Sequence, residues 1–167
     1  EAEVLHLPGH STGQTGLHVP GHRLLFSADH LLRGVSPNPL LELGEKGGEG
    51  KFLSLVGYLD SLSRVEQLEL EWVLPGHGEP FGDHRKVAAG VREVFERRQQ
   101  RLLACLREGP RTAYELLGAE FGGRGRRLQL LLMLSEIIGN LEVLEAKGAV
   151  RRRDADGRWR FELASQA

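Results

Sequence analysis

The chain has 167 residues, 40% hydrophobic and 27% charged, with a net charge of -1. That balance suits a soluble globular protein of one or two small domains and gives no overall pull towards nucleic acid or anionic lipid. No apolar run approaches the roughly 20 residues that span a bilayer, and a single cysteine excludes an internal disulfide and a thiolate zinc site.

The first segment, Val4 to Leu7, reads as a strand that runs into Pro8-Gly9-His10-Ser11. Proline and glycine fix a tight turn there and hold a histidine at its tip. A second apolar strand, Leu17 to Val19, follows Gly13 and Gly16. Val19-Pro20-Gly21-His22 reads as a hairpin turn, with His18 and His22 exposed beside it. Leu24 to Ala28 is a third strand and ends directly in Asp29. His30 falls on the opposite side of an extended backbone from Asp29. It is therefore a supporting or substrate-facing candidate.

Residues 34–50 hold Pro37, Pro39 and a tract of glycines, which predicts a long loop. Its start, Ser36 to Pro39, follows the Asp29 strand end and is expected to border the site mouth. Lys51 to Glu69 has apolar residues at three- and four-residue steps, from Phe52 to Val65, and predicts a sheet-covering helix. A fourth strand, Trp72 to Leu74, ends in Pro75-Gly76-His77-Gly78 and repeats the opening design.

Three strand ends thus carry His10, Asp29 and His77. Two imidazoles and a carboxylate suit zinc, and also manganese or iron. A carboxylate, with two oxygens, can bridge two ions. Ser11 and His84 are further candidates for supporting the site or facing substrate.

A long helix is expected from Asp83, a plausible N-cap, to about Arg107. Its middle, Glu96 to Arg101, is polar all round, so the domain boundary is placed near residue 98, giving domains 1–98 and 99–167. Cys105, in an apolar helical stretch, reads as a structural thiol. Thr112 and Glu115 form a capping box for a short helix. Leu128 to Ala146 is a long apolar helix, and Ala149–Arg153 with Arg158–Leu163 a hairpin around Asp154-Ala155-Asp156-Gly157.

The trio His10, Asp29 and His77 resembles the third, fourth and fifth metal-binding motifs of the metallo-β-lactamase superfamily, in order. Ala28 stands where many members have glycine. The resemblance implies that His10 binds a first metal, Asp29 bridges two metals and His77 binds the second. It implies an α/β fold, here the C-terminal half of an αβ/βα sandwich. The tail is similar to the winged-helix domain that one branch of the superfamily carries. The family's His-x-His-x-Asp-His motif is not among these 167 residues, so the chain is expected to be the C-terminal portion of a longer protein. The activity implied is hydrolysis by a metal-bound hydroxide, with zinc expected as two ions in the intact protein. The substrate implied is a small-molecule ester or thioester, an amide, or a phosphodiester such as RNA. The chain alone is expected to be incomplete as an enzyme.

The alternative is a non-catalytic winged-helix module that binds partners or nucleic acid. The tail carries twelve basic against nine acidic residues. Arg124, Arg126, Arg127 and the hairpin arginines are placed to touch phosphate. Glu136, Glu142 and Glu145 along the long helix repel it, which argues against sequence-specific DNA binding. The apolar run Leu130 to Leu134 exceeds one buried face and predicts a docking or homo-oligomer contact through the tail. A cytoplasmic, non-membrane location is expected.

Overall fold

The fold starts from four short strands, two of which, Thr15–Val19 and Leu24–Ala28, alternate exposed and buried residues. A computed structural model describes residues 1–41, 51–122 and 127–164. The strands β1 (Glu3–His6), β2 (Thr15–Val19), β3 (Leu24–Ala28) and β4 (Trp72–Pro75) form one sheet in the order β1-β2-β3-β4. β1 pairs antiparallel with β2, and β2 antiparallel with β3; β3 pairs parallel with β4. Two antiparallel steps make β1 point the same way as β3. The C-terminal ends of β1, β3 and β4 therefore lie along one edge of the sheet, and the loop holding His10, and then Asp29 and His77, follow those ends.

One face of the sheet is buried by Leu25, Ser27 and Val73, packed in a core with Leu55, Leu62 and Val65 of α1 (Ser54–Glu66). The helix is shorter than the sequence predicts, and its buried stripe is not purely apolar: Ser54, Tyr58 and Ser61 lie on it beside Leu55, Leu62 and Val65. Each of these polar groups has a backbone carbonyl to donate to, which removes the penalty of burying it. His18 also departs from expectation. It is buried, because the period-two alternation of β2 turns Gly16 and His18 to the inner face, and its Nδ1 sits 3.5 Å from Glu3. The opposite face of the sheet is apolar but open, with Val4, Leu17, Phe26 and Trp72 exposed.

The helix α2 (His84–Leu106) follows, and the chain divides into two compact units, Glu1–Val94 and Phe95–Ala167, within it. In the first unit Arg92 ties α2 to α1 through Glu66, Ser63 and the Leu59 carbonyl. The second unit contains α3 (Ala113–Phe121), α4 (Arg127–Ala146) and a hairpin, β5 (Val150–Ala155) with β6 (Arg158–Leu163). The Thr112–Glu115 capping box forms in full. The hairpin turn is the two residues Asp156-Gly157, both at positive φ, tighter than the four-residue turn read from the sequence. The core here gathers Leu102, Leu106, Leu116, Ile137, Leu141 and Phe161.

The polar residues expected on the outside of α4 are largely engaged. Asn140 and Glu142 are buried. Asn140 accepts from Gln99, Glu136 pairs with Arg98 at 3.0 Å, and Glu145 with Arg152. Of the apolar run, Leu131 is 65% exposed, whereas Leu130 packs against the core. The glycine tract at 44–50, Arg124, Arg126 and the side chain of Arg127 lie outside the described residues. Among the described residues no helix is long and apolar enough to cross a membrane.

Candidate metal centre

The loop after β1 is fixed from several sides. Leu7 N–H donates to the Gln14 carbonyl at 2.9 Å, and Gly9 N–H to the Ser11 carbonyl at 3.1 Å. The Pro8 carbonyl accepts from Ser61 of α1 at 2.9 Å. Gly9 has φ +139, and a Cβ there would collide with Tyr58, so only glycine fits. His6 Nε2 donates to the Thr12 carbonyl at 2.7 Å. Ser11 itself is exposed.

His10 is half-buried, and its Nδ1 lies 3.1 Å from the Asn38 carbonyl. A carbonyl only accepts, so Nδ1 carries the proton and Nε2 keeps its lone pair. This is the arrangement in which a histidine ligates a metal through one nitrogen and is oriented through the other. The residue supplying that carbonyl belongs to the Ser36–Pro39 segment.

Asp29 is aimed by a register shift between Phe26 and Ala28 in the β3–β4 pairing, and Ala28 takes φ +46. Such an irregularity turns the next side chain out of the pleat. The Gln14 amide, oriented with its oxygen towards the turn, accepts from Asp29 N at 3.1 Å and His30 N at 2.7 Å. Gly76 N donates to the Ala28 carbonyl at 2.8 Å, so the His77 loop is stitched to the Asp29 turn. A Cβ on Gly76 would stand 2.7 Å from Asp29 Oδ1.

The result is a close pair. Asp29 Oδ1 is buried without a hydrogen-bond partner and lies 3.4 Å from His77 Nε2, whose ring is otherwise exposed. That separation is long for an N–H···O bond, whose mode is about 2.9–3.0 Å. It matches the roughly 3.4 Å between two ligands of one tetrahedral ion bonded at about 2.1 Å. The donor types and the orphaned oxygen thus fit a metal. The structure brings Asp29 and His77 together; among the described residues no three histidine, cysteine, aspartate or glutamate side chains form a group able to hold an ion, so His10 stands outside the pair.

His30 and His84 are both buried. His30 is completely buried, its ring 4.9 Å from that of Tyr58, whose hydroxyl donates to the His30 carbonyl. Burial, reinforced by the charge of Arg64, pushes its pKa down to about 4, so the ring is neutral. It is part of the packing beneath the Asp29 turn and not a group facing solvent. His84, at the start of α2, is buried too, and burial and then Arg85 hold its pKa below the ordinary histidine value.

Gln14, Tyr58 and Ser61 carry roles that no motif announced. Tyr58 and Ser61 sit three apart on one helix face, so the signal available was two polar residues within an apolar stripe. Gln14 gave no signal beyond its place in the loop.

Comparisons with known proteins bear on the family of the chain. The family model described as "Metallo-beta-lactamase superfamily" matches residues 1–77. The chain is 36% identical over 150 residues to a probable metallo-hydrolase, YqjP, of Bacillus subtilis, covering 88% of this chain and 46% of that protein. Over 86 residues it is 34% identical to the chicken (Gallus gallus) acyl-coenzyme A thioesterase MBLAC2, covering 49% of this chain and 27% of that one. The crystal structure of the metallo-beta-lactamase family protein TTHA1429 from Thermus thermophilus superposes with a TM-score of 0.79 at 30% identity. That match covers 97% of this chain and 49% of the other. The chain thus spans about half the length of the metallo-hydrolase relative and of this solved structure. On the family match at residues 1–77, these relatives and the strand-end site, the chain belongs to the metallo-beta-lactamase superfamily.

Proposed function

We propose that this chain supplies the second half of a metal-dependent hydrolase and that its substrate is an acyl thioester. The observation that carries the metal assignment is the Asp29–His77 pair, a buried unpaired carboxylate oxygen 3.4 Å from an imidazole nitrogen. Asp29 and His77 would hold the ion, with Asp29 able to bridge to a second, and His10, through Nε2, would belong to the first. Zinc suits this donor set best, with manganese or iron as the other fits. When bound, such a metal supplies Lewis-acid polarisation of the scissile carbonyl and an acidified water.

The chain's own residues provide the positioning. Gln14 and the Gly76 N–H hold the Asp29 turn, and the Asn38 carbonyl sets the tautomer of His10. Remaining ligands would come from a preceding half of the protein. Two observations support this. The chain spans under half of its metallo-hydrolase relative, and Val4, Leu17, Phe26 and Trp72 leave one sheet face apolar and open, as a face that packs on a second sheet would be.

The thioester reading rests on the likeness to an acyl-coenzyme A thioesterase. We read residues 99–167 as a winged helix from the order helix, short helix, long helix, hairpin. Its hairpin arginines are mostly occupied: Arg151 and Arg153 pair with Glu162, Arg152 with Glu145 and Arg160 with Glu115. That favours docking over phosphate binding, and Leu131 and Leu132 are exposed apolar residues of α4 through which a homo-oligomer contact would form.

The test is hydrolysis by the protein carrying its preceding half. Chelator-sensitive release of thiol from an acyl-coenzyme A, abolished by Asp29→Asn and His77→Ala, is expected. Hydrolysis of RNA with no thioesterase activity would move the substrate assignment to phosphodiesters. Activity untouched by either substitution would remove the metal assignment.

A further inference from the structure

A groove of about 290 Å³ in the first unit lies between the turn at Arg33–Ser36 and α2. Its helix wall is Val87, Gly90, Val91 and Val94, which share one face at three- and four-residue steps. Val35 forms the facing wall. Gly90 is unusual there. Glycine within a helix costs roughly 0.5–1 kcal/mol relative to alanine, and a Cβ built on Gly90 meets no atom within 4 Å. No steric contact requires it, and the missing side chain widens the groove.

The rim is charged. Arg33 and Asp83 pair with each other, with a second contact at 3.3 Å, and Arg33 lies 5.0 Å over the Phe81 ring. Lys86 is exposed one turn along the helix from Asp83, and the pairing with Arg33 and then the Lys86 charge favour the ionised Asp83 carboxylate. Arg33 and Asp83 cancel, so the rim presents one net positive charge above an apolar trough. An apolar trough under a rim of two cations and one carboxylate, net charge +1, suits a ligand with an aliphatic tail and one negative head.

We propose that this groove binds an aliphatic carboxylate, tail along Val87, Val91 and Val94 and head towards Lys86. This is the class of product that hydrolysis of an acyl thioester releases; the site's place in the reaction rests on the thioester reading, whereas binding needs neither metal nor turnover.

Octanoate titrated into the 167-residue chain, followed by valine methyl NMR, tests it. Saturable shifts at Val87, Val91 and Val94 are expected. Lys86→Glu, an exposed change, should weaken binding about two- to fivefold, the range of one exposed charge pair. Gly90→Leu should fill the groove and abolish binding while leaving the thermal midpoint unchanged or higher. Equal binding of octanol or octylammonium, no saturation at millimolar octanoate, or Lys86→Glu without effect would overturn the proposal. So would a concentration-dependent dimer that Gly90→Leu dissolves, since a second copy would then occupy the groove. Thioester hydrolysis without octanoate binding would sink only this site, and octanoate binding without hydrolysis only the thioester reading.

Discussion

Gln14 and Asp29 are joined through the backbone: the Gln14 side-chain oxygen accepts the Asp29 N–H at 3.1 Å and its neighbour's at 2.7 Å. A residue from the first loop thus holds the turn that ends the third strand. Gln14→Ala leaves the Asp29 N–H without this acceptor, whereas the His30 N–H keeps the Ser27 carbonyl at 3.0 Å. Leaving a buried donor unsatisfied costs about 1–3 kcal/mol, so urea unfolding should show a loss in that range. Gln14→Glu, which keeps an acceptor oxygen, should lose less.

Ala28 sits at φ +46, in the left-handed region that glycine tolerates and β-branched residues do not. The left-handed form costs a non-glycine residue roughly 1–2 kcal/mol, offset in part by the flexibility glycine adds to the unfolded chain. Stability should therefore rank Ala28→Gly at or slightly above wild type, and Ala28→Val well below. Unfolding midpoints of the three proteins check the order, and a valine variant as stable as alanine would contradict it.

Gly76→Ala would place a methyl 2.7 Å from Asp29 Oδ1 and 3.1 Å from the Ala28 carbonyl carbon. Overpacking of this kind costs about 1–3 kcal/mol. Part should be relieved by moving the carboxylate, so zinc affinity should fall along with the unfolding midpoint. A variant with wild-type metal affinity would show that Asp29 Oδ1 is not the coordinating atom.

Much of this site was legible because its residues end strands. Short apolar runs located β1, β3 and β4, and turn chemistry placed His10, Asp29 and His77 beyond them. The topology that puts those ends on one edge was not legible, since nothing in Leu24–Ala28 or Trp72–Pro75 says that they pair in parallel. His18, His30 and His84 were harder. A histidine beside a turn or at a helix start looks solvated, yet β2 alternation buries His18, and packing under the Asp29 turn buries His30 against Tyr58. In the tail, local rules were enough for the Thr112 cap, but which acids of α4 face outward depended on contacts with Gln99, Arg98 and Arg152.

Glu136 predicts a pH dependence in the second unit. Burial raises its pKa above the usual 4.5, and the neighbouring Arg98 only partly opposes this. The folded state then holds this proton more tightly than the unfolded state. Its stabilising contribution is complete below about pH 4.5 and is lost as pH rises through the folded pKa. Glu136→Gln should flatten that fall in a series of unfolding curves from acid to neutral pH, and an unchanged slope would contradict it.

Leu131 and Leu132, not Leu130, are outward leucines near the start of α4, and Leu131 is the more exposed. If the tail docks two copies, Leu131→Glu should shift sedimentation equilibrium towards monomer while far-UV circular dichroism stays unchanged. A monomeric wild-type chain at high concentration would remove the oligomer proposal.

The most direct test of the metal assignment is a zinc titration of the 167-residue chain followed through its histidine imidazole NMR signals. The His77 Nε2 resonance should move, with weak affinity because few ligands are present, and Asp29→Asn should abolish the shift. A His77 signal that zinc leaves in place, or one that moves equally without the Asp29 carboxylate, would contradict the assignment.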